Sequence, residues 1–548
     1  MKPAMAPLHQ ELGHLAAGKA LSALMGVVVL ALLWRRVTPQ AYGQYLSLVA
    51  ALEILALGSA LGLSTIAQRH LPIWMAHAPS PRRALWAVVQ VLGLRALLAL
   101  AALAVLWGLA GQLVEADRLT AEGAAQLPSY LPRWPAEMGM HWGVIWLLTG
   151  VLVRSLEEIQ SMLLMQAWIQ AQAVLGQAVR LWALASLPVH AGQGVQWLIT
   201  LELGIALFTL LMGLVVVVRH TLVARPQDEP LRQEPPTAWP RAWAGAMGFW
   251  LIQCLGLGWS LHALRLVLHA LAGPTAVAVH AAAQALCDSL RQASPLVWMT
   301  GWLRAAMLRL HALGSSSNQD LHLAAAVERG SALLMWPLLA AWLVEPTAWL
   351  RWAAGPELFA QAQRLSLSYP AAPPATAVLA ATALLVLLQN RHLVLSLWTQ
   401  TRQRPGRGIL ASVAAVLCAG VMPWLVPVVG LWSVPLVMMG AEVLWVAIVG
   451  LQMRQGGRTG QALLMGKSAL VPAAALAAAG MVSVVLEAAG VADGWLPLFG
   501  PLWAAGAAVS IVTWKWPAWS AAERAAFSGC LPPLWAARWL QRSQGVRA

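Results

Sequence analysis

Four polar side chains stand in one row along an apolar stretch: His280, Gln284, Asp288 and Arg291, at i, i+4, i+8 and i+11. On a helix that spacing puts them on a single face. Other apolar stretches carry similar groups. Lys19 lies three residues before Ser22, Glu53 and Arg69 bracket a second stretch, and Arg95 sits inside a third. Arg154 precedes Glu158 by one turn beside Glu157; Gln170, Gln177 and Arg180 form a stripe, as do His262, Arg265 and His269. Ionisable groups among apolar residues are costly unless they face a wet cavity or a partner, so each is a candidate site. Arg and Lys attract phosphate strongly where water is scarce, and Arg adds paired hydrogen bonds. The residues expected to bind an anionic head are therefore Lys19, Arg69, Arg180, Arg265 and Arg291, with His280 and Gln284. Asp288 and Glu53 are the candidates for coupling to a proton or sodium ion, because protonating a buried acid changes its charge and can bias a two-state cavity.

Each of these residues also has a purely structural reading. Arg154 and Glu158 can form an intrahelical pair, Arg69 can anchor a helix at the interface, and Lys19 can snorkel from a helix end. The row from His280 to Arg291 can be polar glue between packed helices.

The chain that must position these groups has 548 residues, 59% of them hydrophobic and only 10% charged, against roughly 25% charged in soluble domains. That is too little charge for a water-exposed surface, so lipid is the expected solvent. The apolar stretches are long, rich in Leu and Ala, and lack the alternation of an outer-membrane barrel. An all-α polytopic bundle follows. The net charge of +14 is read as Arg-loaded cytoplasmic loops instead of a nucleic-acid surface. Cys254, Cys287, Cys418 and Cys530 are far apart, with no metal-ligand spacing, and read as packing residues.

About 20 apolar residues cross the hydrocarbon core. On that rule spans are expected near 15–34, 43–66, 84–110, 139–164, 167–188, 195–218, 243–270, 273–300, 328–345, 374–398, 408–430, 431–453, 467–490 and 495–516. Basic loops follow the even-numbered spans: Arg82 and Arg83, then Arg219 to Arg241, Arg304 and Arg309, Arg402 to Arg407, and Arg454 and Arg458. Both termini are therefore expected in the cytoplasm of a bacterial inner membrane. Arg35 and Arg36 would then lie outside, against the trend. The N-terminus has no small-residue cleavage site and reads as a retained first helix. The polar, Pro-rich stretch 219–242 reads as a cytoplasmic linker between an N-terminal lobe (1–218) and a C-terminal lobe (243–453). Residues 454–548 would hold two further spans and a basic amphipathic tail, lying on the inner leaflet from about residue 518.

Pro39-Gln40-Ala41-Tyr42-Gly43-Gln44-Tyr45 opens the second span and Pro274-Thr275-Ala276-Val277-Ala278-Val279-His280 the eighth. Both follow the first helix of a six-helix half, a faint internal repeat of the kind transporters use. The same residues carry a resemblance. Gly18-Lys19-Ala20-Leu21-Ser22, Val37-Thr38-Pro39 through Tyr45, Leu61-Gly62-Leu63-Ser64 and Arg69-His70-Leu71-Pro72, then Gly273-Pro274-Thr275 and Leu350 through Phe359, together resemble the polysaccharide flippases of the multidrug/oligosaccharidyl-lipid/polysaccharide exporter superfamily.

That resemblance implies two six-helix lobes around a central cavity, two extra C-terminal helices, alternating access, and an undecaprenyl-pyrophosphate-linked oligosaccharide as cargo for surface polysaccharide synthesis. Partners would be that lipid-linked glycan, membrane lipids and a coupling ion. The abundance of Trp (31) beside few Tyr (4) and Phe (5), and a long stretch at 111–138, depart from the pattern. The alternatives are a multidrug or cation antiporter on the same architecture and a membrane glycosyltransferase or polysaccharide polymerase. No cofactor is expected: GxxxxGK[ST], HExxH and GxSxG patterns are absent. The acids of the long loops, Glu115, Asp117, Glu122, Glu137 and Glu357, form no compact pair, so the protein is not expected to be an enzyme.

Overall fold

The computed structural model describes residues 6–119, 140–163, 165–186, 194–223, 236–312, 319–345, 349, 351, 360, 364, 375–401, 405–454, 470–488 and 495–515, and every regular element among them is helical. The N-terminal half runs through α1 (Ala6–Arg36), α2 (Pro39–Gly58), α3 (Leu63–His77), α4 (Pro81–Leu119), α5 (Met140–Met162), α6 (Gln166–Ser186) and α7 (Gly194–Val223). The C-terminal half begins with α8 (Trp239–Leu257), α9 (Leu261–Ala293), α10 (Pro295–Trp298), α11 (Thr300–Ala312) and α12 (Gln319–Val344). It continues with α13 (Ala375–Thr401), α14 (Pro405–Ala419), α15 (Met422–Val429), a 3-10 turn (Gly430–Trp432) and α16 (Ser433–Arg454). Two more helices, α17 (Leu470–Ala488) and α18 (Trp495–Lys515), follow. The loop 120–139, linker residues 224–235, the motif around Gly355-Pro356 and the tail from 516 lie outside the described residues.

Local chemistry sets the helix ends. Thr38 caps α2 by accepting from the Ala41 amide at 3.3 Å, and Pro39 occupies the first turn, where its missing N–H costs nothing. Ser260 caps α9 in the same way through Ala263. Two breaks correct the expected spans. The stretch 43–66 is interrupted where Leu61 and Gly62 take positive φ of 43° and 82°, so Arg69 belongs to a separate helix, α3. The stretch 243–270 is likewise divided between α8 and the first arm of α9. Gly273, at φ 82° and ψ 173°, adopts a conformation open only to glycine, and Pro274 restarts the helix as a second arm.

Both halves are built alike. In the first, α1 packs on α6, α5 on α7 and α4 on α5; in the second, α8 packs on α14, α13 on α16 and α12 on α13. The repeat glimpsed at Pro39 and Pro274 is therefore one of helix order and packing. Large apolar side chains such as Leu24, Leu211, Leu417 and Trp503 point outward, as expected of a surface solvated by lipid. Six described stretches are long and apolar enough to cross a membrane: 39–58, 81–105, 194–223, 239–282, 322–344 and 406–451. The chain is a multi-pass helical membrane protein. Its last two helices join α12 through the small side chains Ala340, Ala475, Ala479 and Ala505, which let backbones approach closely.

The halves meet along α2 and the second arm of α9, the most extensive helix pair in the molecule. A Cβ on Gly43 would stand 1.9 Å from the Pro274 carbonyl oxygen. Only a bare backbone fits there. Ser47 on α2 donates to the Gly43 carbonyl at 2.9 Å and shares a 2.9 Å hydrogen bond with His269 Nδ1. In this conformation the halves touch at the seam where a central passage would run.

Candidate functional site

A polar cavity of about 520 Å³ opens inside the C-terminal half. Its walls are α8, α9, α13, α14 and α16, five helices whose apolar faces are held by one large core around Leu268, Met335, Leu339 and Val434. From α9 come His262, Arg265, Gln284 and Arg291. The first two lie before the Gly273 break and the last two after it, so the kink is what lets both arms of one helix face one space. Arg265 and Gln284 are buried, at 8% and 3% exposure. Across from them α8 and α13 supply neutral hydrogen-bonding groups, Gln253, Gln389, Ser396, Thr399 and Gln400.

The same cavity contains a pair that the row on α9 did not suggest. His392 Nδ1 lies 2.6 Å from Glu442 Oε2, and the His392 ring stacks on Trp445 at 3.7 Å and 6°. Trp445 in turn donates to Ser412 at 3.2 Å. The acid on this wall is thus tied to a base and a stacked ring. Both residues lie inside expected spans 374–398 and 431–453, so the rule that singled out the α9 groups applies to them equally.

A second cavity, about 230 Å³, is lined by Lys19 of α1, Arg154, Glu157 and Glu158 of α5, Gln170 of α6 and Arg304 of α11. Arg304 reaches from the C-terminal half to hydrogen-bond Gln68 on α3. Opposite charges mix here, whereas cationic and neutral groups dominate the first cavity.

The structure thus brings three of the expected binding residues, Arg265, Gln284 and Arg291, to one space. Lys19 lines the other cavity. Arg69 is half-buried on α3 and lines neither of these two. His280 is buried at 2% exposure behind the α9 wall and also lines neither. Arg180 corrects the expectation most directly. Its Nε and Nη2 make paired 2.7 Å hydrogen bonds to the two Glu202 oxygens, so in this structure it ties α6 to α7. Glu53 is ion-paired with Arg154, and the expected Arg154–Glu158 intrahelical pair gives way to that longer-range one. Asp288 lies on α9, and its side chain is outside the described side chains. His269 leaves the stripe of His262 and Arg265 to meet Ser47 instead.

Glu53 stands fourteen residues after Pro39 and Asp288 fourteen residues after Pro274. The two candidate coupling acids therefore occupy the same step of the two repeats.

No protein-family model matches the chain, and neither does any curated protein. Solved structures do. A MATE protein in complex with MaL6 has a TM-score of 0.53 at 14% identity, covering 84% of this chain and 99% of its own. A eukaryotic MATE transporter gives 0.52 at 11% identity, covering 83% and 97%. The Vibrio cholerae MATE transporter VcmN, in a mutant form, gives 0.51 at 12% identity, covering 84% and 100%. Another structure in this set, with a TM-score of 0.50 at 14% identity over 84% of this chain and 96% of its own, is described as a multidrug resistance MATE family transporter of the MOP superfamily. The exporter-superfamily part of the sequence resemblance has its counterpart in these neighbours, and the polysaccharide-flippase part has none. At such identities the likeness is one of architecture: the chain has the fold of the MATE transporters.

Proposed function

We propose that the chain is an alternating-access transporter whose cargo is a small amphiphile bearing an anionic group, on the multidrug-exporter side of its fold relatives. The observation that carries this is the wall formed by Arg265 and Arg291 in one 520 Å³ cavity. Among the described side chains lining it, the acid Glu442 is engaged by His392. Two guanidinium groups lining one cavity, that of Arg265 largely buried, attract an anion more strongly than they would in bulk water. The neutral wall of Gln and hydroxyl groups suits the remainder of a polar cargo. The volume falls within the roughly 300–1,000 Å³ of small-molecule sites, and a structural neighbour is described as a multidrug resistance transporter.

A second reading, translocation of a pyrophosphate-linked oligosaccharide, is favoured by the same two arginines, since paired Arg contacts suit a pyrophosphate. It asks for more room than this conformation offers, so the halves would have to part to admit the sugars. In either case Glu53 and Asp288 are the proposed sites for a coupling proton or sodium ion.

The test is transport in proteoliposomes with three probes: an anionic dye, a cationic dye and a fluorescent pyrophosphate-linked glycan. The anionic dye should move fastest, and Arg265→Ala and Arg291→Ala should each slow it about tenfold or more, the loss expected for a charge-assisted hydrogen bond. Faster movement of the glycan selects the second reading. Preference for the cationic dye, or unchanged rates in both variants, rejects the site.

A further inference from the structure

We infer that a groove on the outer face of α6 and α7 binds one chain of an anionic membrane phospholipid, with the lipid phosphate at Arg219. The groove encloses about 700 Å³. Met165 and Trp168, at the start of α6, form one wall; Phe208, Leu211, Met212 and Val215 of α7 form the other. Leu211 and Val215 are 64% and 67% exposed, an arrangement unfavourable in water and favourable against a hydrocarbon chain.

Two features fix the kind of occupant. The first is length. Phe208 and Arg219 are eleven residues apart on α7, which at 1.5 Å per residue is about 16 Å. That is close to half of the roughly 30 Å hydrocarbon core. The slot therefore runs the depth of one leaflet, as a single acyl chain does. The second is charge. Arg219 lies exposed toward one end of the slot, one turn before Val223 and with His220 beside it, and neither Asp nor Glu is among the residues lining it. A guanidinium at the interface offers paired hydrogen bonds to a phosphate, and one such base near an anionic headgroup is worth about fivefold in affinity.

A protein helix is a poor occupant for this face. Helices that associate in lipid present Gly, Ala, Ser or Thr at the contact, and the lining here is Trp, Phe, Leu, Met and Val with no small residue. The flexible thioethers of Met165 and Met212 can instead adjust to a mobile chain.

Native mass spectrometry of the full chain, released from phosphatidylcholine nanodiscs doped with phosphatidylglycerol, counts the lipids retained. Wild type should keep phosphatidylglycerol in preference to phosphatidylcholine. Val215→Trp and Leu211→Trp fill the slot and should each remove the retained lipid. Arg219→Gln should lower the preference for phosphatidylglycerol about fivefold while leaving phosphatidylcholine binding intact. All three positions face lipid, and unchanged elution on size exclusion shows that the fold persists. Equal retention of the two lipids by wild type overturns the inference, as does a wild-type result from both slot-filling variants. Displacement by inorganic phosphate alone would leave a headgroup site without a chain slot. Displacement by equimolar polyprenyl phosphate would assign the slot to the tail of a different lipid. Either result also overturns it.

Discussion

Arginine inside this bundle has two fates, and they separate by what stands opposite. Arg180 meets Glu202, Arg391 meets Glu328 through 2.8 and 2.6 Å contacts to both oxygens, and Arg154 meets Glu53. These bases tie helix to helix. Arg265 and Arg291 also line a cavity. Substitutions should therefore divide cleanly. Arg180→Gln should lower thermal stability in detergent by about 1 kcal/mol, the modest worth of a partly exposed pair, while anion binding stays unchanged. Arg291→Ala should do the reverse, and tryptophan-fluorescence titration with an anionic dye beside a melting curve reads both. The His392–Glu442 pair invites a third comparison. His392→Ala removes the partner of a largely buried acid together with its stacking contact, and should cost about 1–3 kcal/mol. Glu442→Gln keeps a hydrogen-bonding group and should cost less. The sequence exposed the α9 groups because polar residues recur at helical spacing within an apolar stretch. It hid the fate of Arg154 and Arg391, because Glu53 and Glu328 lie 101 and 63 residues away and no spacing rule spans such distances.

At the scale of the helix, glycine does two different things at the seam. Gly43 is needed for space, since a Cβ would fall 1.9 Å from the Pro274 carbonyl. Gly273 is needed for its dihedrals alone: nothing lies within 4 Å of the position a Cβ would take, but φ is 82°. Gly273→Ala should then cost about 1–3 kcal/mol of backbone strain and leave the halves in contact. Gly43→Val must push α2 from α9 and should largely abolish folded protein. Detergent melting temperature and yield after size exclusion distinguish the two. Both positions were legible as landmarks, because Pro39 and Pro274 start helices wherever they occur. The break at Leu61 and the one between Leu257 and Leu261, inside the expected span 243–270, were not, whereas the interruption at Gly273 falls between the expected spans 243–270 and 273–300. Hydropathy counts apolar residues and is blind to φ, so a helix that stops and restarts inside lipid reads as one long span. His262 and Arg265 fall in one expected span and Gln284 and Arg291 in the next, and spacing within a span says nothing of how two spans meet at one cavity.

At the scale of the molecule, single hydrogen bonds link two similar halves. Ser47 to His269, Trp250 to the Gly58 carbonyl at 2.9 Å, Trp74 to the Thr237 carbonyl at 2.8 Å and Arg304 to Gln68 all cross from one half to the other. Each is a single hydrogen bond worth about 0.5–1.5 kcal/mol net, so the set is weak enough to break in turn as the bundle rocks. Each half has its own core, around Leu71 and Leu156 on one side and Leu268 and Val434 on the other, and apolar contact between them runs along α2 and α9 and through the cluster of Leu15, Met162 and Leu303. Motion should therefore be concentrated at the seam, one half moving against the other as a body. A covalent link tests this directly. With the native cysteines replaced, Ser47→Cys and His269→Cys joined by a short bifunctional thiol reagent should stop transport, and a reducible reagent should let it resume on reduction. The same reagent across Arg180→Cys and Glu202→Cys ties two helices of one half, α6 and α7, and should leave the rate nearly unchanged. If the link within a half proves as inhibitory as the link across the seam, the halves do not move as bodies, and the cavity around Arg265 and Arg291 must fill and empty by rearrangement inside the C-terminal half alone.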